Sequence, residues 1–513
     1  MDILPKKINR FYSSRWLPFI IICFGIVLRL HRYLYPRSLW LDEACLALNI
    51  VNRSYLQLLQ QLDYNQFSPF GFLMIEKLMV QIFGNTEYVL KAFPCLAGIV
   101  SLFVFYKVAK WFIKPMAIPI ALGLFAISNF LNFYSSTVKQ YSSDVAIALL
   151  LFVVTIYIQS KQLTALRIVL FGVIGAIAVW FAATVTFVLI GLATGLTILY
   201  LKKKDWTTTS RLAVVYLIWA LGIIAYGYVY VTNYPAASHI ETMRNFFSSS
   251  IIIFPPRGLK DIKDYIEIFF AFFRQPAGFP LSGIAAFAFL VGWISMFREK
   301  KEKFLVLASP LVITPLVSAF IKYPLEARMI LFLLPFSYLF IAEGVMCIID
   351  KTRVTLPVIG IIIFGLLFYH PLLSVYSNLK QPCTYEEIKS VINYVREHKR
   401  KGDVLYLYYC SQPAFKYYSE NYGFDDNDYI VGVSSRDNWE NYIKDLDKLR
   451  GIKRVWILFS HVCTWEGVDE EKFFLFYLDR IGTRLDSFKS IGAVVYLYDL
   501  SEKILDKDKD ADQ

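Results

Sequence analysis

Apolar residues along this chain gather in blocks of about 20 separated by short polar stretches, and a helix of that length spans roughly 30 Å of hydrocarbon. Blocks at 16–34, 88–112, 115–136 and 145–160 predict the first membrane-crossing helices. Residues 168–200 lie between two basic clusters and so cross an even number of times, as two short helices meeting near positions 180–184. Further blocks follow at 211–232, 280–297, 304–321, 328–349 and 354–371. The pattern predicts an α-helical polytopic membrane protein with about eleven transmembrane helices.

Other stretches are striped rather than continuous. Leu48, Val51, Tyr55, Leu58 and Leu62 recur at helical spacing with Asn52, Gln57, Gln60 and Gln61 between them. Such a stripe predicts an amphipathic helix lying on the outer surface. Residues 68–83 are interrupted by Glu76 and Lys77 and fit a second surface helix better than a crossing. In a second long outer loop, 233–279, the turn signal Pro255-Pro256-Arg257-Gly258 precedes a third stripe of Ile262, Ile266, Phe269, Phe270 and Phe273. Near residue 381 the composition turns polar and reads as α/β, with helices at 386–399 and 470–481 and strands at 403–409, 454–459 and 493–499. The expected organisation is a transmembrane domain over 1–380, a small extracytoplasmic α/β domain over 381–502 and a charged flexible tail over 503–513.

Charge adds orientation to this outline. Of 513 residues, 57% are hydrophobic and only 18% charged, with a mean hydropathy of +0.48, whereas a soluble chain of this length carries more surface charge. A net charge of +12 would suit nucleic acid, but its placement argues against that partner. Basic residues cluster between apolar blocks, at Lys6, Lys7, Arg10 and Arg15; Lys107, Lys110 and Lys114; Lys161 and Arg167; Lys202, Lys203 and Lys204; Arg298, Lys300, Lys301 and Lys303; and Lys351 and Arg353. Such clusters mark cytoplasmic loops. They put the N-terminus inside and the C-terminal domain outside, the expected setting being a bacterial inner membrane. The first block lacks a small-residue cleavage site and reads as a retained anchor. Cys23, Cys95 and Cys347 lie in apolar stretches as small core residues. Among Cys383, Cys410 and Cys463 one disulfide can form if that region is outside the cytoplasm.

Chemistry concentrates in the outer loops. Asp42 and Glu43 stand among Leu39, Trp40, Leu41 and Ala44, just beyond the first block. Acids at the edge of hydrocarbon cost about 3 kcal/mol on insertion scales unless they are solvated, paired or used. The plain reading is a hydrated loop or an N-cap for a helix starting at Ala44; the functional one is a base or a metal ligand in apolar surroundings. Arg29 and Arg32, near the outer end of the first helix, either snorkel to lipid phosphates or pair with an acidic ligand. A second outer loop carries Lys139, Gln140, Tyr141 and Asp144, and a third carries Lys322, Tyr323, Glu326 and Arg328. In the third, a salt bridge from Glu326 to Arg328 or Lys322 is the structural alternative. Acids, amides and cations at one membrane level suit a reaction on an anionic lipid, with cations holding phosphate and a carboxylate acting as base or metal ligand.

These residues resemble a known family. Leu28-Arg29-Leu30, the run Ser38 to Ala44 and Ser68-Pro69 are similar to segments of the membrane-embedded GT-C glycosyltransferases. So are Phe83 to Tyr88 with Lys91-Ala-Phe-Pro94, Lys139-Gln-Tyr141 to Asp144, and Tyr323-Pro324 with Arg328. The likeness is to the family 39-like group that includes protein O-mannosyltransferases and lipid A aminoarabinose transferases, and it covers residues 16–370. Two departures stand out: Phe70 follows Ser68-Pro69 where a second proline is common, and no His marks a metal site. The resemblance implies transfer of a sugar from a polyprenyl-phosphate donor to a lipid, glycan or protein acceptor at the extracytoplasmic membrane face. It implies that Asp42 is the catalytic base or a metal-coordinating acid with Glu43 beside it, and that Asp144 is a second acid and metal ligand. Lys139 and Arg328, joined by Arg29, would contact the donor phosphate. Trp40, Gln140, Tyr141 and Tyr323 would line the donor and acceptor pocket. A divalent metal ion is the one cofactor implied; donor, acceptor and membrane lipids are the partners.

The C-terminal domain would help select the acceptor or serve stability alone, with Asp403 and Asp499 structural. The opposing class is a transporter or flippase for lipid-linked sugars, whose mark would be repeats and broken helices at mid-membrane. A receptor for such lipids would keep the cations and have no need of Asp42.

Overall fold

The computed structural model describes residues 16–233, 250–352, 357–462, 464–465 and 467–501. Lys6, Lys7, Arg10, Arg15, Arg353, Cys463 and the 503–513 tail lie outside the described residues, as does much of the second outer loop. The chain divides into two compact units, Met1–Tyr35 with Arg53–Pro382, and Pro36–Asn52 with Cys383–Gln513. A short N-terminal segment therefore belongs with the C-terminal quarter of the chain.

Helix α1 (Trp16–Leu34) belongs to the helical unit and α2 (Leu41–Asn52) to the other. The helical unit continues with α3 (Phe70–Phe83), α4 (Glu87–Phe112), α5 (Ile118–Ile127), α6 (Asn129–Tyr134), α7 (Tyr141–Gln159), α8 (Ala165–Phe181) and α9 (Val185–Lys202). Then come α10 (Trp206–Asn233), α11 (Leu259–Arg274), α12 (Ser282–Glu299), α13 (Lys301–Ile321), α14 (Leu334–Thr352) and α15 (Pro357–Lys380). Every apolar block of the sequence coincides with a helix. Among the described residues eight stretches are long and apolar enough to cross a membrane, and Pro115–Ile127 and Ala165–Phe181 are shorter apolar helices.

The block at 115–136 differs from a single crossing. Its helix stops at Ile127, and Ser128 caps a new one, its hydroxyl accepting from the Leu131 amide at 3.4 Å. Asn132 donates back to the Ala126 carbonyl at 3.1 Å. Short polar side chains that bond nearby backbone compete with the helix in this way. The stripe from Leu48 to Leu62 is divided between α2 and two single turns, Gln57–Leu59 and Asp63–Asn65. Close packing elsewhere uses small residues, as expected where lipid supplies no hydrophobic drive between helices. A Cβ on Gly292 of α12 or Gly344 of α14 would run into the partner helix's backbone.

In the C-terminal unit a five-stranded sheet has the order β2-β1-β3-β7-β6, with β1 (Val404–Leu407), β2 (Tyr429–Val431), β3 (Val455–Ser460), β6 (Thr483–Ser490) and β7 (Ala493–Asp499). β1 runs parallel to β2 and β3, while β7 is antiparallel to β3 and β6. A two-stranded ribbon, β4 (Thr464–Trp465) and β5 (Val468–Asp469), lies apart from it. In register, Tyr406, Ile457 and Tyr496 line one face. There they share a core with Tyr442 and Leu446 of α18 (Trp439–Asp447) and with Phe474 and Leu478 of α19 (Glu470–Ile481). The alternate positions pack on α16 (Ile388–His398), whose Ile388, Val391, Ile392 and Val395 are all buried at helical spacing. Tyr394 of α16 meets Trp456 edge-on, at 6.2 Å between ring centroids. The unit is a three-layered α/β sandwich, completed by α17 (Gln412–Ser419).

Candidate active site

The segment bearing Asp42 is held by side chains of its own unit. Glu387 accepts from the Ser38 amide at 3.1 and 3.2 Å and from its hydroxyl at 2.9 Å. The Tyr418 hydroxyl receives the Leu39 amide at 2.8 Å, and Glu386 the Leu41 amide at 3.1 Å. Buried backbone amides need such partners, and here the amides of Ser38, Leu39 and Leu41 find side-chain acceptors on α17 or just before α16. Asp42 and Glu43 then occupy the first turn of α2, where unpaired helix amides favour negative charge.

The two acids differ in their surroundings. Glu43 is fully buried and grips Arg37 with both oxygens, at 2.5 and 2.8 Å. A buried carboxylate committed in this way anchors the turn; breaking such a pair costs about 3–5 kcal/mol. Asp42 is half-buried and keeps access to solvent. Trp40 packs against Tyr385 and His461, with ring centroids 5.2 and 6.3 Å away.

In the helical unit the loop at 134–144 is no hydrated loop. Residues 135–144 are all buried. Their hydroxyls turn inward onto carbonyls: Ser135 on Asn132 at 2.8 Å, Thr137 on Phe133 at 2.8 Å, Ser142 on Pro94 at 2.9 Å. That satisfaction lets the polar run of the sequence close between α6 and α7. Lys139 donates to Gln66 Oε1 at 2.6 Å, and Gln140 Oε1 receives the Ser68 hydroxyl at 3.3 Å. Asp144 is 3% exposed, lies beside Thr184, and its Oδ1 has no hydrogen-bond partner among the described residues.

Tyr323 and Arg328 join this group. The Arg328 guanidinium lies over the Tyr141 ring at 5.8 Å, within cation–π range. Tyr323 donates to the Met329 carbonyl at 2.8 Å and packs on Phe187 at 4.9 Å. Burial, with Asp144 and Tyr141 close enough to act electrostatically, holds its phenol well above the usual range, so it remains a protonated donor at neutral pH. The connecting loop is bracketed by two left-handed non-glycine residues, Lys322 (φ 56°) and Ala327 (φ 35°), a strain that surrounding structure must hold in place. Glu326 accepts from Ser250 at 2.6 Å.

Arg29 lies buried inside the helical unit. Its guanidinium has no exposed surface, lies over Phe125 at 5.7 Å and donates to the Gly25 carbonyl at 3.0 Å. The metal expectation also lacks a cage: among the described residues no three His, Cys, Asp or Glu side chains gather to hold an ion. Arg37, Gln66, Thr184, Glu386 and Glu387 escaped the sequence reading. Only Arg37, a further outer cation next to the acidic pair, carried a local signal.

No family model matches the sequence, and no curated protein matches it. Solved structures share its fold. ArnT from Cupriavidus metallidurans bound to undecaprenyl phosphate superposes with a TM-score of 0.55 at 11% identity, covering 94% of this chain and 98% of that one. The apo state of that ArnT gives 0.53 at 12% identity, covering 93% and 97%. The Archaeoglobus fulgidus oligosaccharyltransferase tethered with an acceptor peptide gives 0.51 at 12% identity, over 96% of this chain and 75% of its own. Both are GT-C membrane glycosyltransferases, and theirs is the fold of this integral membrane protein.

Proposed function

We propose that the protein is a glycosyltransferase that moves a sugar from a polyprenyl-phosphate carrier to an acceptor at the extracytoplasmic membrane face. The observation that carries this reading is the gathering of Asp144, Tyr141, Tyr323 and Arg328 with buried Lys139 close in sequence, on a fold shared with a transferase bound to undecaprenyl phosphate. Asp42 takes the proton of the acceptor hydroxyl as its oxygen attacks the anomeric carbon. The bond from that carbon to the phosphate oxygen breaks, and the carrier phosphate leaves with the electron pair. Arg328 and Lys139 offset its charge. Asp144 orients the sugar. No step passes through a metal. In the same reading residues 1–35 and 53–380 belong to the part embedded in a bacterial inner membrane, the N-terminus is cytoplasmic, and residues 36–52 and 381–502 lie outside.

The test is sugar transfer from a panel of polyprenyl-phosphate sugars by the purified full-length protein beside Asp42→Asn. Turnover by wild type with loss of at least about a hundredfold in the variant is expected. Equal turnover by both would remove Asp42 from its role, and donor transport without transfer would favour a flippase.

A further inference from the structure

A cleft of about 680 Å³ lies within the C-terminal unit, lined among others by Trp40, Tyr385, His461, Glu471, Lys489 and Ser490. Small-molecule sites usually enclose about 300–1,000 Å³ and combine apolar faces with a few convergent polar groups. Here the apolar faces are the rings of Trp40, Tyr385 and His461, tilted against one another. Tyr385 is 53% exposed, a large ring presented rather than packed away. The polar groups are unequal in charge: among the described lining residues Glu386 and Glu471 are acidic and Lys489 is opposite in sign. Glu386 is already spent, bonded to His461 Nδ1 at 2.5 Å and to the Ser460 hydroxyl at 3.2 Å.

This combination discriminates among ligands. A prenyl or acyl chain gains nothing from carboxylates in its path, and a phosphate would be repelled by them. A pyranose ring has an apolar C–H face to lay on an aromatic ring and a rim of hydroxyls for carboxylate, ammonium and serine groups. We infer that the cleft is a carbohydrate subsite that holds the acceptor's sugar ring, neutral or amino-substituted. The inference rests on the transferase reading for the word acceptor, and the cleft's chemistry alone supplies the word carbohydrate. Trp40, two positions before Asp42, ties the subsite to the segment that carries the proposed base.

Saturation-transfer NMR on the full-length protein in nanodiscs, with a panel of neutral, amino and acidic methyl pyranosides, tests it. Polyprenyl phosphate binding is measured in parallel on the same samples. A neutral or amino glycoside should bind wild type. Tyr385→Ala should weaken it about tenfold and Tyr385→Phe should not, because only the ring is needed. Polyprenyl phosphate binding should be the same in all three. Absence of neutral and amino glycoside binding, or equal binding by Tyr385→Ala, would overturn the subsite. So would preference for acidic glycosides, or binding of short tyrosine-rich peptides in their place. Glycoside binding with the stated dependence but no polyprenyl phosphate binding would leave the subsite standing and overturn the transferase reading.

Discussion

At the scale of single residues, neighbours in sequence hold opposite offices. Glu43 is locked to Arg37 while Asp42, one position earlier, keeps solvent access. Nothing in the run Leu-Asp-Glu-Ala distinguishes them; the difference arises from which side of the first helical turn faces the interior. The proposed donor cations are separable from the proposed base by experiment. Lys139→Ala and Arg328→Ala should each raise the dissociation constant for polyprenyl phosphate by about 10- to 100-fold, the worth of a charge-assisted hydrogen bond; unchanged affinity in both would remove them from the donor site. Asp403 belongs to stability. Burial opposes its charge, but bonds from the Arg400 amide, Arg454 and Trp456 outweigh that and hold its carboxyl below the usual value. A depressed folded pKa gives stability that is present above the unfolded value and is lost as pH falls through the folded one. Asp403→Ala should therefore cost the C-terminal unit about 1–3 kcal/mol at neutral pH and progressively less in acid, read by hydrogen exchange in β1 and β3.

Elements were legible wherever their pattern is local. Hydropathy located every membrane-length helix, because a span in lipid is written in one unbroken block. The break after α5 shows the limit: Ser128 starts a new helix by hydrogen bonding, which hydropathy does not record. In the C-terminal unit the buried strands β1, β3 and β7 were readable as apolar runs, whereas exposed β6 and the three-residue β2 were not. Least legible was the fastening of the α2 segment, since Ser38 and Glu387 are 349 positions apart. Its test is at the element scale. Glu387→Ala frees the amide and hydroxyl of Ser38 and should lower kcat for transfer about 10- to 100-fold through misplacement of α2, with donor affinity unchanged. A normal kcat would show that the fastening is dispensable.

For the whole molecule the sequence conveyed the class, the membrane-embedded GT-C fold with a small α/β addition, because clusters of positive charge and blocks of apolar length are global signals. It gave no sign that the chain lends residues 36–52 to its C-terminal unit, since long-range pairing leaves no periodicity. Orientation is tested by labelling exposed cysteines introduced as Glu302→Cys and Glu420→Cys in intact cells with an impermeant maleimide. Label at 420 alone is expected; label at 302 instead would invert the topology and move the proposed chemistry to the other face.

The loan of α2 to the C-terminal unit has a consequence in time. Translation at about 5–20 residues per second leaves roughly 20–70 s between the emergence of Ser38 and that of Glu387. Throughout that interval the membrane helices can insert while the segment bearing Asp42 lacks the Glu387 and Tyr418 side chains that hold its amides, so in the proposed reading a half-made chain has no placed base.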